Sequence, residues 1–146
     1  MKDRHGGFLI SKIKAIGGRR FDKILQKKNI DAFNGAQGKI LYVLWQDGKM
    51  TATEISRKSG LAKTTLTAML TRMCAQGLIF TEENSDDKRS TIVCLTKKAA
   101  DLRNEFEAVS REIESIYYRG FSDREVEQFE SYLGRILKNL EEENER

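Results

Sequence analysis

The sequence predicts a mainly α-helical protein that carries one small β-hairpin. Three observations predict this fold class. Apolar residues recur at steps of three and four near both ends of the chain, a spacing that places them on one side of a helix. Proline is absent from all 146 residues, which suits long uninterrupted helices. The middle of the chain, residues 51–96, reads as two short helices followed by two short strands.

The first central helix begins at Thr51. Thr51 and Glu54 have the spacing of a capping box, in which side chains satisfy free amide hydrogens of the first turn. Gly60 ends this helix, because glycine readily takes a positive φ. A second helix is predicted over about 63–76, with Gly77 at its end. The predicted apolar seam between the two helices consists of Ile55, Leu61, Leu66, Met69, Leu70 and Met73.

The outward face of the second helix carries short hydroxyls and long cations. A helix fits the DNA major groove, where such side chains can bond base edges and phosphates. An ordinary helical hairpin with a polar face is the plainer alternative, because short motifs also arise by chance. The candidate DNA-binding residues on this face are Lys63, Thr64, Thr65, Thr67, Thr71 and Arg72.

Two predicted strands, 78–80 and 91–95, follow the second helix directly, and the polar loop between them contains Lys88 and Arg89. A helix-turn-helix followed by a basic hairpin is a winged helix. Its wing would place both cations beside the DNA backbone or in the minor groove, where a narrow groove attracts arginine. Asp87 is expected to orient Arg89 through an ion pair and to make no DNA contact, since DNA would repel its charge.

The run from Asp87 to Thr96, DKRSTIVCLT, matches the D-x-R-x5-L-T signature of the MarR (multiple-antibiotic-resistance regulator) family. The run from Gly60 to Thr67, GLAKTTLT, resembles the entry to that family's recognition helix. This resemblance covers essentially the whole chain. It implies a homodimeric transcriptional regulator, usually a ligand-responsive repressor, that binds a pseudo-palindromic duplex. Many members have arginine where this chain has Ala68, so a relative's operator cannot be carried over.

An amphipathic helix over about 8–28 opens the chain. The Gly17-Gly18 pair is expected to interrupt it, because each glycine weakens a helix by about 1 kcal/mol relative to alanine. Asn34 is the expected cap of a following helix over about 36–46.

Two further helices, about 97–119 and 123–143, close the chain, and Ser122 with Glu125 forms a capping box between them. The terminal helices carry more apolar surface than a compact lobe can cover, and isolated helices of this sort are marginal in water. A second copy of the chain is therefore the expected partner. We predict one structural domain with three regions. Residues 1–35 form an N-terminal dimerisation helix and connector, residues 36–96 form the DNA-binding lobe, and residues 97–146 form the C-terminal dimerisation helices.

Charge is distributed unevenly along the chain. Residues 1–48 carry 10 Lys and Arg against 4 Asp and Glu, residues 49–98 carry 9 against 5, and residues 99–146 carry 7 against 13. This asymmetry suggests one surface for a polyanion and another kept away from it. No apolar run approaches the length of a membrane span and no signal-peptide core is evident, so we expect a cytoplasmic protein without a membrane partner.

The sequence predicts no catalytic, metal or cofactor site. It contains no phosphate loop, nucleophile elbow or metal-ligand cluster, and its one histidine, His5, offers no dyad. The resemblance implies a small-molecule site between the dimer arms and the DNA-binding lobe. Tyr42 and Trp45 could line such a pocket for a phenolic or other amphipathic effector, although aromatics so placed are more often core or interface residues.

Two alternatives to this DNA-binding regulator stay open. One is a winged helix that binds protein as a subunit of a larger assembly. The other is a redox-sensing regulator that uses Cys74 or Cys94. Peroxide-sensing members of the family carry their reactive cysteine in the first helix, where this chain has none, and buried cysteines are commonly inert.

Overall fold

The computed structural model describes residues 2–33 and 36–144, and within them it contains seven helices and three strands. The fold class expected from the sequence, a mainly α-helical winged helix, is confirmed. The helices are α1 (Gly6–Lys27), α2 (Gln37–Asp47), α3 (Ala52–Ser59), α4 (Lys63–Ala75), α5 (Lys97–Asp101), α6 (Arg103–Tyr117) and α7 (Asp123–Asn144). The strands are β1 (Met50–Thr51), β2 (Ile79–Glu83) and β3 (Thr91–Leu95).

The chain forms two compact units, residues 1–110 and 111–146. The first unit holds the sheet and helices α1 to α5, and α6 begins in it and ends in the second unit. The second unit continues with α7. This division does not test the three functional regions predicted from the sequence, residues 1–35, 36–96 and 97–146, which stay a prediction.

The sheet is small and antiparallel, with β3 between β1 and β2. β1 adds a short third strand at one edge of the hairpin. Met50 and Thr81 both pair with Val93, so these three residues share one face of the sheet. Met50 and Val93 are buried on this face together with Ile79, whereas Phe80 on the opposite face is half exposed.

Helices α2, α3 and α4 pack with this sheet around one apolar core. In the predicted seam, Ile55, Leu66 and Met73 are fully buried, and the other three members are partly exposed. The turn between α3 and α4 needs a left-handed residue, which Gly60 supplies at a φ of 76°. The remaining large side chains that are fully buried include Leu25, Phe33, Ile40, Leu41, Leu44, Leu78 and Val109.

Two predicted helices differ from the structure, and one predicted helix cap cannot be compared with it. α1 continues through Gly17, which is buried, so packing outweighs the glycine cost and the predicted interruption is wrong. The single helix expected over 97–119 is divided at Leu102, whose N–H bonds to the carbonyl of Ala99 at 3.2 Å in a tightened turn. The capping role expected of Asn34 lies outside the described residues.

The other two predicted caps, Thr51 and Ser122, are present, and Ser122 with Glu125 forms a complete capping box. The N–H of Glu54 donates to Oγ1 of Thr51 at 3.2 Å. In the second unit the N–H of Glu125 donates to Oγ of Ser122 at 3.1 Å, and the N–H of Ser122 donates to the Glu125 carboxylate at 2.9 Å. None of the helices described here is long and apolar enough to span a membrane.

Candidate nucleic-acid interface

Helix α4 presents the polar face that the sequence predicts. Its inner side buries Leu66 and Met73 in the core. Every one of the six candidate contact residues on its outer side is exposed: Lys63, Thr64, Thr65, Thr67, Thr71 and Arg72. The helix therefore displays cations and hydroxyls on one side while its other side is anchored in the first unit.

The threonines on this face fall into two groups. The hydroxyl of Thr67 donates to the carbonyl of Lys63 at 2.9 Å, and that of Thr71 donates to the carbonyl of Thr67 at 3.1 Å. These hydroxyls keep lone pairs that can accept a hydrogen bond from a ligand. Among the described residues, nothing hydrogen-bonds to the side chains of Thr64 and Thr65, which remain available to donate as well.

Side chains outside the recognition face hold both ends of α4. At the turn before it, the hydroxyl of Ser56 donates to the carbonyl of Leu61 at 2.6 Å. At its C-terminal end, Nζ of Lys98 donates to the carbonyl of Gln76 at 3.1 Å, and Oγ1 of Thr96 donates to the carbonyl of Gly77 at 2.7 Å. The two bonds at the C-terminal end satisfy carbonyls that lack an intrahelical partner there. Together the three bonds hold the residues at both ends of α4.

The wing carries the ion pair expected from the sequence. The Asp87 carboxylate accepts hydrogen bonds from the backbone N–H and from Nε of Arg89, both at 3.0 Å, and from Nη2 at 3.3 Å. Two hydrogen bonds from Arg89 lower the pKa of Asp87 below its usual value. The bond from the Arg89 side chain has the larger effect, and the bond from its backbone N–H has the smaller one. The Arg89 side chain is 91% exposed, and Lys88 is exposed beside it.

The recognition helix and the wing belong to the same unit, because β2 follows α4 and packs against it. The structure thus brings the two groups of predicted contact residues onto one anchored lobe. Sequence reasoning missed the supporting roles of Gln37 and Asn84, two buried polar residues whose side chains hydrogen-bond within this lobe. A buried polar residue is the signal that identifies such positions, but burial is not visible in the sequence.

Comparisons with known proteins agree with this geometry. The MarR family model matches residues 33–91, the part that contains α2, α3, α4 and most of the wing. The chain is 29% identical over 126 residues to the organic hydroperoxide resistance transcriptional regulator of Bacillus subtilis, a match that covers 86% of this chain and 82% of the relative. It is 24% identical over 123 residues to the transcriptional repressor IacR of Pseudomonas putida, covering 84% and 72%.

Solved structures share the whole architecture. A mutant MarR from E. coli complexed with operator DNA superposes with a TM-score of 0.77 at 23% identity, over 93% of this chain and 99% of that one. NadR in complex with 4-hydroxyphenylacetate gives a TM-score of 0.78 at 19% identity, over 93% and 94%. The chain is similar to proteins of the MarR family. The Bacillus subtilis relatives it matches are transcriptional regulators.

The two aromatic residues expected to line an effector pocket, Tyr42 and Trp45, lie in a cluster. The Trp45 ring is 5.1 Å from Phe106 and 6.0 Å from Phe33, and the Tyr42 ring is 6.0 Å from Phe106. The indole N–H of Trp45 already donates to the carbonyl of Ala99 at 3.0 Å. Tyr42 is half exposed. The cluster offers an apolar wall with one outward tyrosine, and its role as a pocket stays a prediction.

The two cysteines of the chain occupy different environments. Cys74 is exposed near the end of α4, whereas Cys94 is buried in β3. Burial, and then the charge of Glu82, raises the pKa of the Cys94 thiol. Lys49 and Glu82 form an ion pair of 2.8 Å on the sheet face that carries Cys94. A buried thiol of raised pKa is poorly reactive.

Proposed function

We propose that this protein is a cytoplasmic, sequence-specific transcriptional regulator of the MarR family that acts as a homodimer on a pseudo-palindromic operator, as a repressor relieved by a small ligand. The observation that carries the proposal is that one lobe carries both the exposed Lys/Thr face of α4 and an exposed Arg89 that Asp87 orients. Two similar proteins support it, since IacR of Pseudomonas putida is a transcriptional repressor and a mutant MarR was solved in complex with operator DNA.

Base recognition falls to the N-terminal half of α4. Thr64 and Thr65 can donate or accept at base edges, whereas Thr67 offers an acceptor and a methyl group that suits thymine. Lys63 begins the helix and carries a full charge for a guanine edge or a phosphate. Arg72 lies two turns further on and is better placed to bind a phosphate. These roles make α4 the element that reads sequence.

The wing would supply affinity and register rather than base reading. Arg89 is aligned by Asp87 and faces solvent, and Lys88 adds a second cation beside it. Cations that neutralise phosphates release counterions, so this part of the binding should weaken steeply with salt. The basic balance of residues 1–98 adds a long-range attraction to the duplex.

Exposed apolar surface supports a homodimer. In the N-terminal half of α1, five large apolar side chains are at least 42% exposed: Phe8, Leu9, Ile10, Ile13 and Ile16. In the second unit, α7 exposes a further set: Phe129, Tyr132, Ile136, Leu137 and Leu140. Contiguous exposed apolar surface marks an interaction site. A second copy is the occupant we propose, because a two-fold dimer would present two α4 helices to major grooves about one DNA turn, roughly 34 Å, apart.

Ligand control would act through the population of dimer geometries. A ligand that prefers a geometry with the two α4 helices out of register lowers DNA affinity only by its differential affinity for that geometry. NadR in complex with 4-hydroxyphenylacetate supports a phenolic effector. The aromatic cluster around Phe106, with Tyr42 half exposed, is the place where we propose such a ring binds.

Selection of bound duplexes from a random pool tests the proposal, combined with sedimentation of the free protein. The expected result is a palindromic site bound by two chains, with an affinity that falls as salt rises. A protein that stays monomeric, or that binds no duplex at low salt, would contradict it. The same assay separates the protein-binding alternative, which predicts no selected sequence, and the redox alternative, which predicts loss of binding after mild peroxide.

A further inference from the structure

The wing loop closes on a buried side chain, Asn84, which follows the last residue of β2. Both ends of its carboxamide are used. The oxygen accepts a hydrogen bond of 3.1 Å from the N–H of Asp86, and the amide donates one of 3.0 Å to the hydroxyl of Ser90. Ser90 directly precedes β3, so this bond joins the two sides of the loop at its base.

Ser90 extends this connection towards the tip of the wing. Its hydroxyl donates to the carbonyl of Asp87 at 3.3 Å, and its N–H donates to the same carbonyl at 3.1 Å. The carboxylate of Asp87 in turn holds Arg89 through three hydrogen bonds. Hydrogen bonds therefore link buried Asn84, through Ser90 and then through the backbone and side chain of Asp87, to the exposed side chain of Arg89.

We propose that Asn84 is a positioning residue for DNA binding, which orders the wing loop in the free protein so that Arg89 meets the duplex already aligned. The inference rests on the proposed function. Ordering a loop and a long side chain during association costs free energy, so a loop that is ordered beforehand leaves more of the contact energy for affinity. Removing the Asn84 side chain should consequently weaken DNA binding only while Arg89 is present.

A double-mutant cycle tests this dependence on the duplex recovered by selection from the random pool. Asn84→Ala should weaken binding about 3- to 10-fold in the parent, the range that corresponds to one net hydrogen bond. The same change made in an Arg89→Ala background should have little effect, because the group that Asn84 positions is gone. The slope of affinity against salt should fall in Arg89→Ala and stay at the parent value in Asn84→Ala, since the number of phosphate contacts is unchanged.

Matched variants in the same loop complete the test. Ser90→Ala removes the middle of the chain and should behave like Asn84→Ala, and it carries the test if the latter variant does not fold. Ser85→Ala is the control, because no hydrogen bond to its side chain exists among the described residues, and it should bind like the parent.

Each outcome has one meaning. Weaker binding that disappears in the Arg89→Ala background supports the inference. Equal weakening in both backgrounds, or none in the parent, overturns the role of Asn84 and leaves the proposed function standing. If Arg89→Ala binds as tightly as the parent, the wing contact of the proposed function fails first, and the positioning role fails with it.

Discussion

The side-chain amide of Gln37 donates a hydrogen bond of 2.6 Å to the side-chain oxygen of Gln76. Gln37 lies buried in the first turn of α2, and Gln76 is the C-terminal cap of α4. The backbone carbonyl of Gln76 also accepts the bond from Lys98. One residue at the end of the recognition helix is thus tied to α2 by its side chain and to α5 by its backbone.

Replacing Gln37 with leucine should loosen this end of α4. The variant keeps a similar volume and removes one hydrogen bond, and Gln76 is exposed enough for water to replace the donor. We expect the free energy of unfolding to fall by about 1 kcal/mol and DNA affinity to fall a few-fold, about the value of one bond. Denaturant titration and fluorescence anisotropy measure the two effects. Gln46→Leu, at an exposed position of α2, is the control, and a Gln37→Leu variant with parental affinity would show that the bond does not orient α4.

Arg89→Ala should weaken duplex binding and reduce its salt dependence. If the guanidinium contacts one phosphate, the slope of log affinity against log salt should become shallower by about 1. The melting temperature and the oligomeric state should not change, because Arg89 is exposed and is paired only within the loop. Arg111→Ala, an exposed charge on α6, is the matched control. A parental slope in Arg89→Ala would assign the wing contact to another cation.

Tyr118 should make the second unit sensitive to alkaline pH. Its hydroxyl donates to the Glu130 carboxylate at 2.6 Å. The pKa of Tyr118 is raised to about 12. Burial has the largest effect, and this bond and nearby negative charge raise the pKa further. An unfolded tyrosine titrates near pH 10, so the folded state holds the proton more tightly. The resulting stability is fully present below about pH 10 and is lost as the pH rises through about 12.

Thermal melts at alkaline pH, compared between the parent and Tyr118→Phe, measure this effect. The parent should lose stability relative to the variant across that window. Tyr117→Phe is a suitable control because its ring is half exposed beside Tyr118. The same alkaline dependence in Tyr118→Phe as in the parent would place the titration elsewhere.

The two thiols should differ in reactivity, and neither should act as a switch. Cys74 is exposed and should react rapidly with a maleimide, whereas Cys94 should react slowly because it is buried and its pKa is raised. A Cys74→Ser variant isolates the slow thiol. Mild peroxide should leave DNA affinity unchanged in both proteins. If peroxide still reduced DNA binding in Cys74→Ser, the result would indicate that Cys94 acts as a redox sensor.

Features that depend on near neighbours along the chain were predictable. The caps at Thr51 and Ser122, the positive φ at Gly60 and the outward threonines all follow from residues within about one helical turn, because helix periodicity and terminal amides are local properties. The Asp87–Arg89 pair is also local. The candidate DNA-binding surface could for this reason be predicted from the sequence.

Features that join distant segments were not predictable in the same way. Gln37 and Gln76 are 39 positions apart, and Trp45 reaches the carbonyl of Ala99 across 54 positions. The unbroken α1, in which Gly17 is buried, likewise reflects packing that overrides propensity. The break at Leu102 was not predicted either.

The sequence by itself determined the element types, the cationic wing and the exposed face of α4, since short-range stereochemistry and amphipathic spacing suffice for these. Only the tertiary structure decided which polar side chains are buried and which hydrogen-bond partners they have. A buried hydrogen bond depends on which segments the core brings together, and that is a property of the whole packed lobe.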